Sequence, residues 1–277
     1  MNAFIPALLL LAQVVGGDLT YTVLPGDTLT RIGARFGVEV QVLAEENHLT
    51  PGDHLRAGQT LSIDNRHIAV SAGGADIIVN VAQRMLFHFH KNEFVTAYPI
   101  AAGKKDWRTP LGDFEITGKE EKPAWDVPAS IQEEMRRSGK PVITRVPPSA
   151  ENPLGDYWIG LSMPGIGVHG TNAPLSIYKL ATHGCIRLHP DDIRDLFSKV
   201  DVGMKGQVVF QPVLIIRVGD SVYLEIHPDL YRKEPDALRK VLQTAESGGF
   251  LQLLDLALAR KVIRERAGVA RDVTIRN

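Results

Sequence analysis

Between Ala75 and Ile226 the chain runs in short apolar alternations, cut every few residues by Gly, Pro, Asn or Asp. Ile77, Val79 and Val81 alternate, as do the residues from Leu86 to Phe89 and from Phe94 to Tyr98. A period of two places successive side chains on opposite faces of a strand. The turn residues Ala82-Gln83-Arg84 and Lys91-Asn92-Glu93 make hairpins of these runs. Further strands are expected near Gly112–Thr117, Tyr157–Leu161, Gly167–His169, Cys185–Leu188, Gln207–Gln211, Leu214–Val218 and Val222–Ile226. No regular alternation with long helices accompanies them, which excludes a doubly wound sheet. The fold class is therefore mainly β, sandwich-like or barrel-like. Two helices interrupt it. One spans Pro128 to Ser138. The other opens at His189-Pro190-Asp191-Asp192, where Pro and two acids suit a helix N-terminus.

The flanks read differently. Residues 18–64 hold a strand at Tyr21–Val23, a Pro25-Gly26-Asp27 turn, a helix capped by Thr28 and ended by Gly37, a second helix carrying Val40, Leu43 and Ala44, and a closing strand at Gly58–Ile63. The order is βααβ. Residues 213–277 form a C-terminal extension of strands and then helices. Its last helix has an apolar side of Leu251, Leu254, Leu258 and Val262 and a basic end. An apolar face of that kind needs only the body of the protein as its partner.

The first 17 residues contain an apolar run, Phe4 to Val15, too short to cross a bilayer as a helix. It matches the apolar core of an export signal, with Val15 and Gly17 at small-residue positions before a cut ahead of Asp18. No Lys or Arg precedes the run. Residues 1–17 are thus expected to be a signal peptide, with the protein working in the periplasm or cell wall. A formal net charge of -1 gives no argument for nucleic acid as a partner.

Cys185 is the single cysteine, which rules out an internal disulfide and a CxxC site. It stands in the segment GVHGTNAPLSIYKLATHGCIRL, residues 167–188. If Thr182–Leu188 is extended, His183, Cys185 and Arg187 share one face, and Thr182, Ile186 and Leu188 share the other. A thiol beside an imidazole and a guanidinium is the setting of a cysteine nucleophile. His169 supplies a second imidazole from its own strand. A buried structural Cys is the alternative that residue types alone leave open. His88 and His90 share a strand face but lack a third ligand, so no metal site is expected there, and the two read as solvent-facing or hydrogen-bonded. Trp107, Trp125 and Trp158 suit either a peptide groove or packing. Glu120-Glu121 and Glu133-Glu134 read as solvated faces.

Two resemblances sharpen this. YTVLPGDTL, IGARFGV and LRAGQTLSI resemble the LysM module, which implies binding to N-acetylglucosamine-containing glycans. HGTN followed by THGCIRL resembles the signature of the YkuD-type L,D-transpeptidase catalytic domain, over about residues 75–212. TPLGDFEI, AWDVPASIQEE and NPLGDYWIGL stand upstream, and the last two are similar to the subgroup containing the ErfK and YbiS enzymes. The resemblance implies Cys185 as nucleophile and His169 as general base, oriented by a backbone carbonyl. His183, Gly184 and Arg187 complete the motif, with Gly170, Thr171, Asn172 and Thr182 around the substrate. It implies no cofactor and no metal. The partners implied are peptidoglycan stem peptides and glycan strands, with a lipoprotein as an alternative acceptor. The implied reaction forms a thioester on a tetrapeptide stem and releases D-alanine. Hydrolysis in place of transfer, or a non-catalytic wall-binding role, are the rival readings. A LysM tether would raise the local concentration of polymeric substrate.

Overall fold

The computed structural model describes residues 12–70 and 74–276. Strand β1 (Ala12–Val15) precedes the βααβ unit of β2 (Asp18–Thr22), α1 (Leu29–Phe36), α2 (Val40–Glu46) and β3 (Thr60–Asp64). Here the expected order holds, and so do its local causes. Thr28 Oγ1 accepts the N–H of Arg31 and caps α1. Gly37 ends it at φ 72°, a conformation that favours glycine. Leu29, Ile32, Val38, Leu43, Leu61 and Ile63 form the unit's own core.

The expected leader lies mostly outside the described residues, but its end does not. β1 pairs antiparallel with β4 (His67–Val70), in register Ala12↔Val70 to Val15↔His67. Val15 is buried in a core shared with the main domain. Residues 12–15 are thus part of the folded body, and a cut ahead of Asp18 would remove a paired strand.

The main sheet is built from β5 (Ile77–Asn80), β6 (Met85–His90), β7 (Glu93–Gly103), β8 (Gly112–Glu121) and, after an excursion, β11 to β15. The excursion holds β9 (Trp125–Asp126), α3 (Ala129–Arg137) and β10 (Arg145–Val146). β11 (Tyr157–Leu161), β12 (Gly167–His169), β13 (Leu180–Thr182) and β14 (Ile186–Leu188) follow, then α4 (Pro190–Lys199) and β15 (Lys205–Val209). The strand order β7-β14-β12-β11-β8-β15-β5-β6 closes on itself, because the long β7 also pairs with β6. Closure leaves the ring without a free edge and makes the sheet barrel-like. Ile100, Ile116, Ile159, Ile186, Leu188, Ile193 and Leu196 fill its core. His88, expected to face solvent or a hydrogen-bonding partner, is instead buried with neither ring nitrogen partnered.

The C-terminal extension is a three-stranded sheet of β16 (Val213–Val218), β17 (Ser221–Ile226) and β18 (Arg271–Asp272), joined by α5 (Ala237–Ser247) and α6 (Leu256–Glu265). α6 buries Ala259 and Val262 in the extension's core, but the expected apolar side is not continuous: Leu251 and Leu254 precede the helix, and Leu258 on it stays exposed.

Polar contacts lock the three units together. Glu225 of β17 is fully buried and accepts from His67 Nδ1 at 2.8 Å, His227 Nε2 at 2.7 Å, Ile68 N–H at 2.6 Å and Gln83 Nε2 at 3.0 Å. His67 Nε2 lies 3.0 Å from the carbonyl of Gly37 in the N-terminal unit. Arg84 bonds Glu39, Arg35 bonds Asp192, and Arg271 reaches both Glu46 and Asp64. The N-terminal unit is therefore docked on the main domain and is not a loosely tethered module.

Candidate active site

The parallel pairing of β12 and β14 builds the site. Its register sets His169 opposite Arg187 and Val168 opposite Ile186. Cys185, just before β14, thus comes within two positions of His169 on the neighbouring strand. The expected uninterrupted strand from Thr182 to Leu188 does not form. β13 ends at Thr182, β14 begins at Ile186, and Gly184 between them has φ 112°. A Cβ on Gly184 would also meet Ile166 Cδ1 at 3.1 Å, so both conformation and space ask for glycine. Thr182, which is buried, holds this turn: its hydroxyl donates to the carbonyl of Cys185 at 2.6 Å and accepts Gly184 N–H at 3.2 Å.

The break separates the expected trio. Arg187 stays with Cys185, while His183 turns to Glu134 and Lys104, at 2.6 and 3.2 Å from its Nε2, with Trp107 against its ring at 5.0 Å. His169 is buried, with Nδ1 2.7 Å from the carbonyl of Gly170. A carbonyl only accepts, so Nδ1 carries the proton and Nε2 is left as the basic nitrogen. Trp158 stacks on the ring at 5.9 Å. Burial, with the Arg187 charge adding to it, pushes the His169 pKa down to about 3. The imidazole is therefore neutral at physiological pH.

Cys185 Sγ lies 3.6 Å from the carbonyl of Gly165 and makes no hydrogen bond to His169. Burial raises the thiol's pKa, a penalty that outweighs the Gly167 backbone N–H and the Arg187 charge, both of which lower it. The resting pair is thus thiol and neutral imidazole. Alkylation of Cys185 by iodoacetamide is expected to be slow at pH 7 and to keep rising beyond the ordinary thiol range near pH 8.5. A rate already level below pH 7 would show a preformed thiolate instead.

Arg187 is half-buried. Nη1 donates to Ser176 Oγ at 2.9 Å, and Nε is buried without a partner. Desolvation lowers its pKa, and the charge has no carboxylate partner among the described residues.

The loop after His169 mostly holds backbone. Gly170 is buried, and Thr171 Oγ1 accepts the N–H of Ala173. Asn172 is exposed and donates from Nδ2 to the carbonyl of Glu151 at 2.8 Å. With Ser149, Asp156 and Pro190 these residues line a cavity of about 110 Å³.

The residues the sequence did not mark are Lys104, Glu134 and Ser176. The chemistry-bearing motif named the turn but not what comes to it from β7 and α3. Glu133 is the solvated acid of its pair, bonded only to Arg136 and Arg137. His67, Glu225 and His227 are metal-type side chains in one place, but both histidine nitrogens nearest the carboxylate already bond it.

Residues 74–215 match the model of the L,D-transpeptidase catalytic domain (YkuD), and residues 21–64 match the LysM domain. The probable L,D-transpeptidase ErfK/SrfK of Escherichia coli (strain K12) is 30% identical over 93% of this chain and 86% of its own. The probable L,D-transpeptidase YcfS of the same strain is 31% identical, over 90% and 81%. Among solved structures, L,D-transpeptidase 3 from Mycobacterium tuberculosis aligns with a TM-score of 0.38 at 16% identity, covering 70% of this chain and 92% of that one.

Proposed function

The chain belongs to the YkuD family of L,D-transpeptidases, and from that premise we propose that it acylates Cys185 with a peptidoglycan tetrapeptide stem, releases D-alanine and passes the acyl group to an amine. The observation that carries this reading is the Cys185 turn set against a His169 whose tautomer the Gly170 carbonyl fixes.

In the first half-reaction the Cys185 sulfur bonds the carbonyl carbon of the third stem residue, and the thiol proton passes to His169 Nε2. Gly184 N–H already donates to Thr182 Oγ1, so Cys185 N–H is the donor proposed for the oxyanion. The tetrahedral intermediate collapses to a thioester, and the leaving D-alanine amine takes the proton from His169. In the second half-reaction an acceptor amine gives its proton to His169 and attacks the thioester. The C–S bond breaks, and the leaving thiolate takes the proton back from His169, which restores the thiol. Arg187, a cation without an acidic partner among the described residues, is the proposed holder of a stem carboxylate. Thr182, Thr171 and Gly170 act by fixing backbone, and Asn172 is the exposed member of the loop.

The docked LysM unit would then hold glycan in a set orientation to Cys185, which a flexible tether could not do. Export to the periplasm or cell wall fits these substrates.

The test is mass spectrometry of products from disaccharide-tetrapeptides. Cross-linked dimers with free D-alanine are expected. Tripeptide monomers alone would point to hydrolysis, or to a different acceptor such as a lipoprotein lysine. No product from folded protein would leave the wall-binding role.

A further inference from the structure

A second cluster adjoins the cysteine turn. Lys104 Nζ and His183 Nε2 lie 3.2 Å apart, and the Glu134 carboxylate bridges them, 3.1 Å from Lys104 and 2.6 Å from His183. An acceptor as close as Glu134 requires a proton on His183 Nε2, so both nitrogens are donors and neither can satisfy the other. The pair is held together by a carboxylate. The same pair lowers the pKa of Glu134, His183 more than Lys104. Lys104 N–H donates to the carbonyl of Thr182, which ties the cluster to the backbone that carries Cys185.

The helix that brings this carboxylate has little else to hold it. α3 buries none of its residues. The excursion that contains it is pinned at its neck, where Asn152 Nδ2 bonds the carbonyls of Pro123 and Pro147. Glu134 can leave the pair without opening a core. Lys104, His183 and Glu134 are all partly exposed, so a solute can reach them.

We infer that Lys104 and His183 form a carboxylate-binding pair of the peptide site, that Glu134 occupies it in the free protein, and that a substrate carboxylate displaces Glu134 and releases α3. This rests on the reading that Cys185 reacts with a peptide. The ligand is a peptide carboxylate, from either of two sources: the side chain of the residue under attack, or the terminus of the leaving residue.

The experiment uses tetrapeptides with both carboxylates free, with either one amidated, and with both amidated, against the wild type, Lys104→Met and Glu134→Gln. In the wild type, amidating the carboxylate that the pair holds raises KM fivefold or more, and the carboxylate whose effect Lys104→Met abolishes, as distinct from one held by Arg187, identifies the source. Lys104→Met reduces that discrimination below twofold, and Glu134→Gln lowers KM for the free peptide threefold or more by removing the competitor. No amidation effect lost in Lys104→Met, or a higher KM in Glu134→Gln, overturns the inference. Should the wild type turn over no peptide, the proposed function is what fails, and hydrogen exchange then decides this inference alone. In Cys185→Ala, the free peptide is expected to speed amide exchange in residues 129–137 and the doubly amidated peptide to leave it unchanged. Equal effects of the two peptides overturn it.

Discussion

Cys185→Ala is expected to leave a folded protein that forms no thioester, releases no D-alanine and makes no cross-linked product. Loss of a nucleophile that forms a covalent intermediate costs about 10⁴-fold or more in rate, and no second thiol is present to substitute. The fold should tolerate the change. Sγ makes only backbone contacts, to the Gly165 carbonyl and the Gly167 N–H, whereas the turn is held by Thr182 Oγ1 and the glycine conformation at Gly184, both untouched by the substitution. Product analysis beside a thermal melt separates the two effects. An active Cys185→Ala would sink the mechanism, and an unfolded one would show that Cys185 packs more than it reacts.

Glu225→Leu is expected to have the largest effect on stability, for reasons that lie far from the thiol. The substitution leaves His67, His227, Gln83 and Ile68 N–H as buried donors without their acceptor. Breaking a buried charged network by removing one partner costs about 3–5 kcal/mol. For a chain of this size that lowers Tm by roughly 10 °C. The network joins all three units, so the melt should lose cooperativity and the N-terminal unit should become open to limited proteolysis. The pH dependence has a definite sign. Glu225 is held down to about 2 because the two histidines and their hydrogen bonds outweigh its burial. A depressed carboxyl contributes its stability above the unfolded value, about 4.3, and loses it as pH falls toward the folded one. The Tm gap between wild type and variant should therefore be full at pH 7 and narrower at pH 3.5. A gap unchanged between those values would mean the carboxylate's charge is not what stabilises the fold.

Local signals were readable and distant ones were not. Ile77–Val81 and Leu86–Phe89 alternate because one face meets a core, and Thr28 and Gly37 bound a helix through their own chemistry, so strands and the βααβ unit followed from neighbours in the chain. The HGTN and HGCIRL segments drew attention to His169, Cys185 and Arg187 for the same reason. What failed was the assumption of unbroken extension from Thr182. Gly184 permits either strand or turn, and its choice is made by Ile166 and by the Thr182 hydroxyl. Glu134 looked like one half of a solvated acidic pair because its partners Lys104 and His183 lie 30 and 49 positions away. Ala12–Val15 reads as the end of an apolar leader, since a leader and a buried strand ask for the same residues. Glu225 sits in an ordinary alternating strand, and its burial follows from three units meeting there.

The most direct test of the central claim is the intact mass of the wild type, quenched in acid during turnover of a tetrapeptide stem, with peptide mapping of the adduct. The account predicts an acyl adduct of the tripeptide stem on Cys185, lost when an amine acceptor is added and absent in Cys185→Ala. Turnover with no adduct at Cys185, or an adduct on another residue, would contradict it.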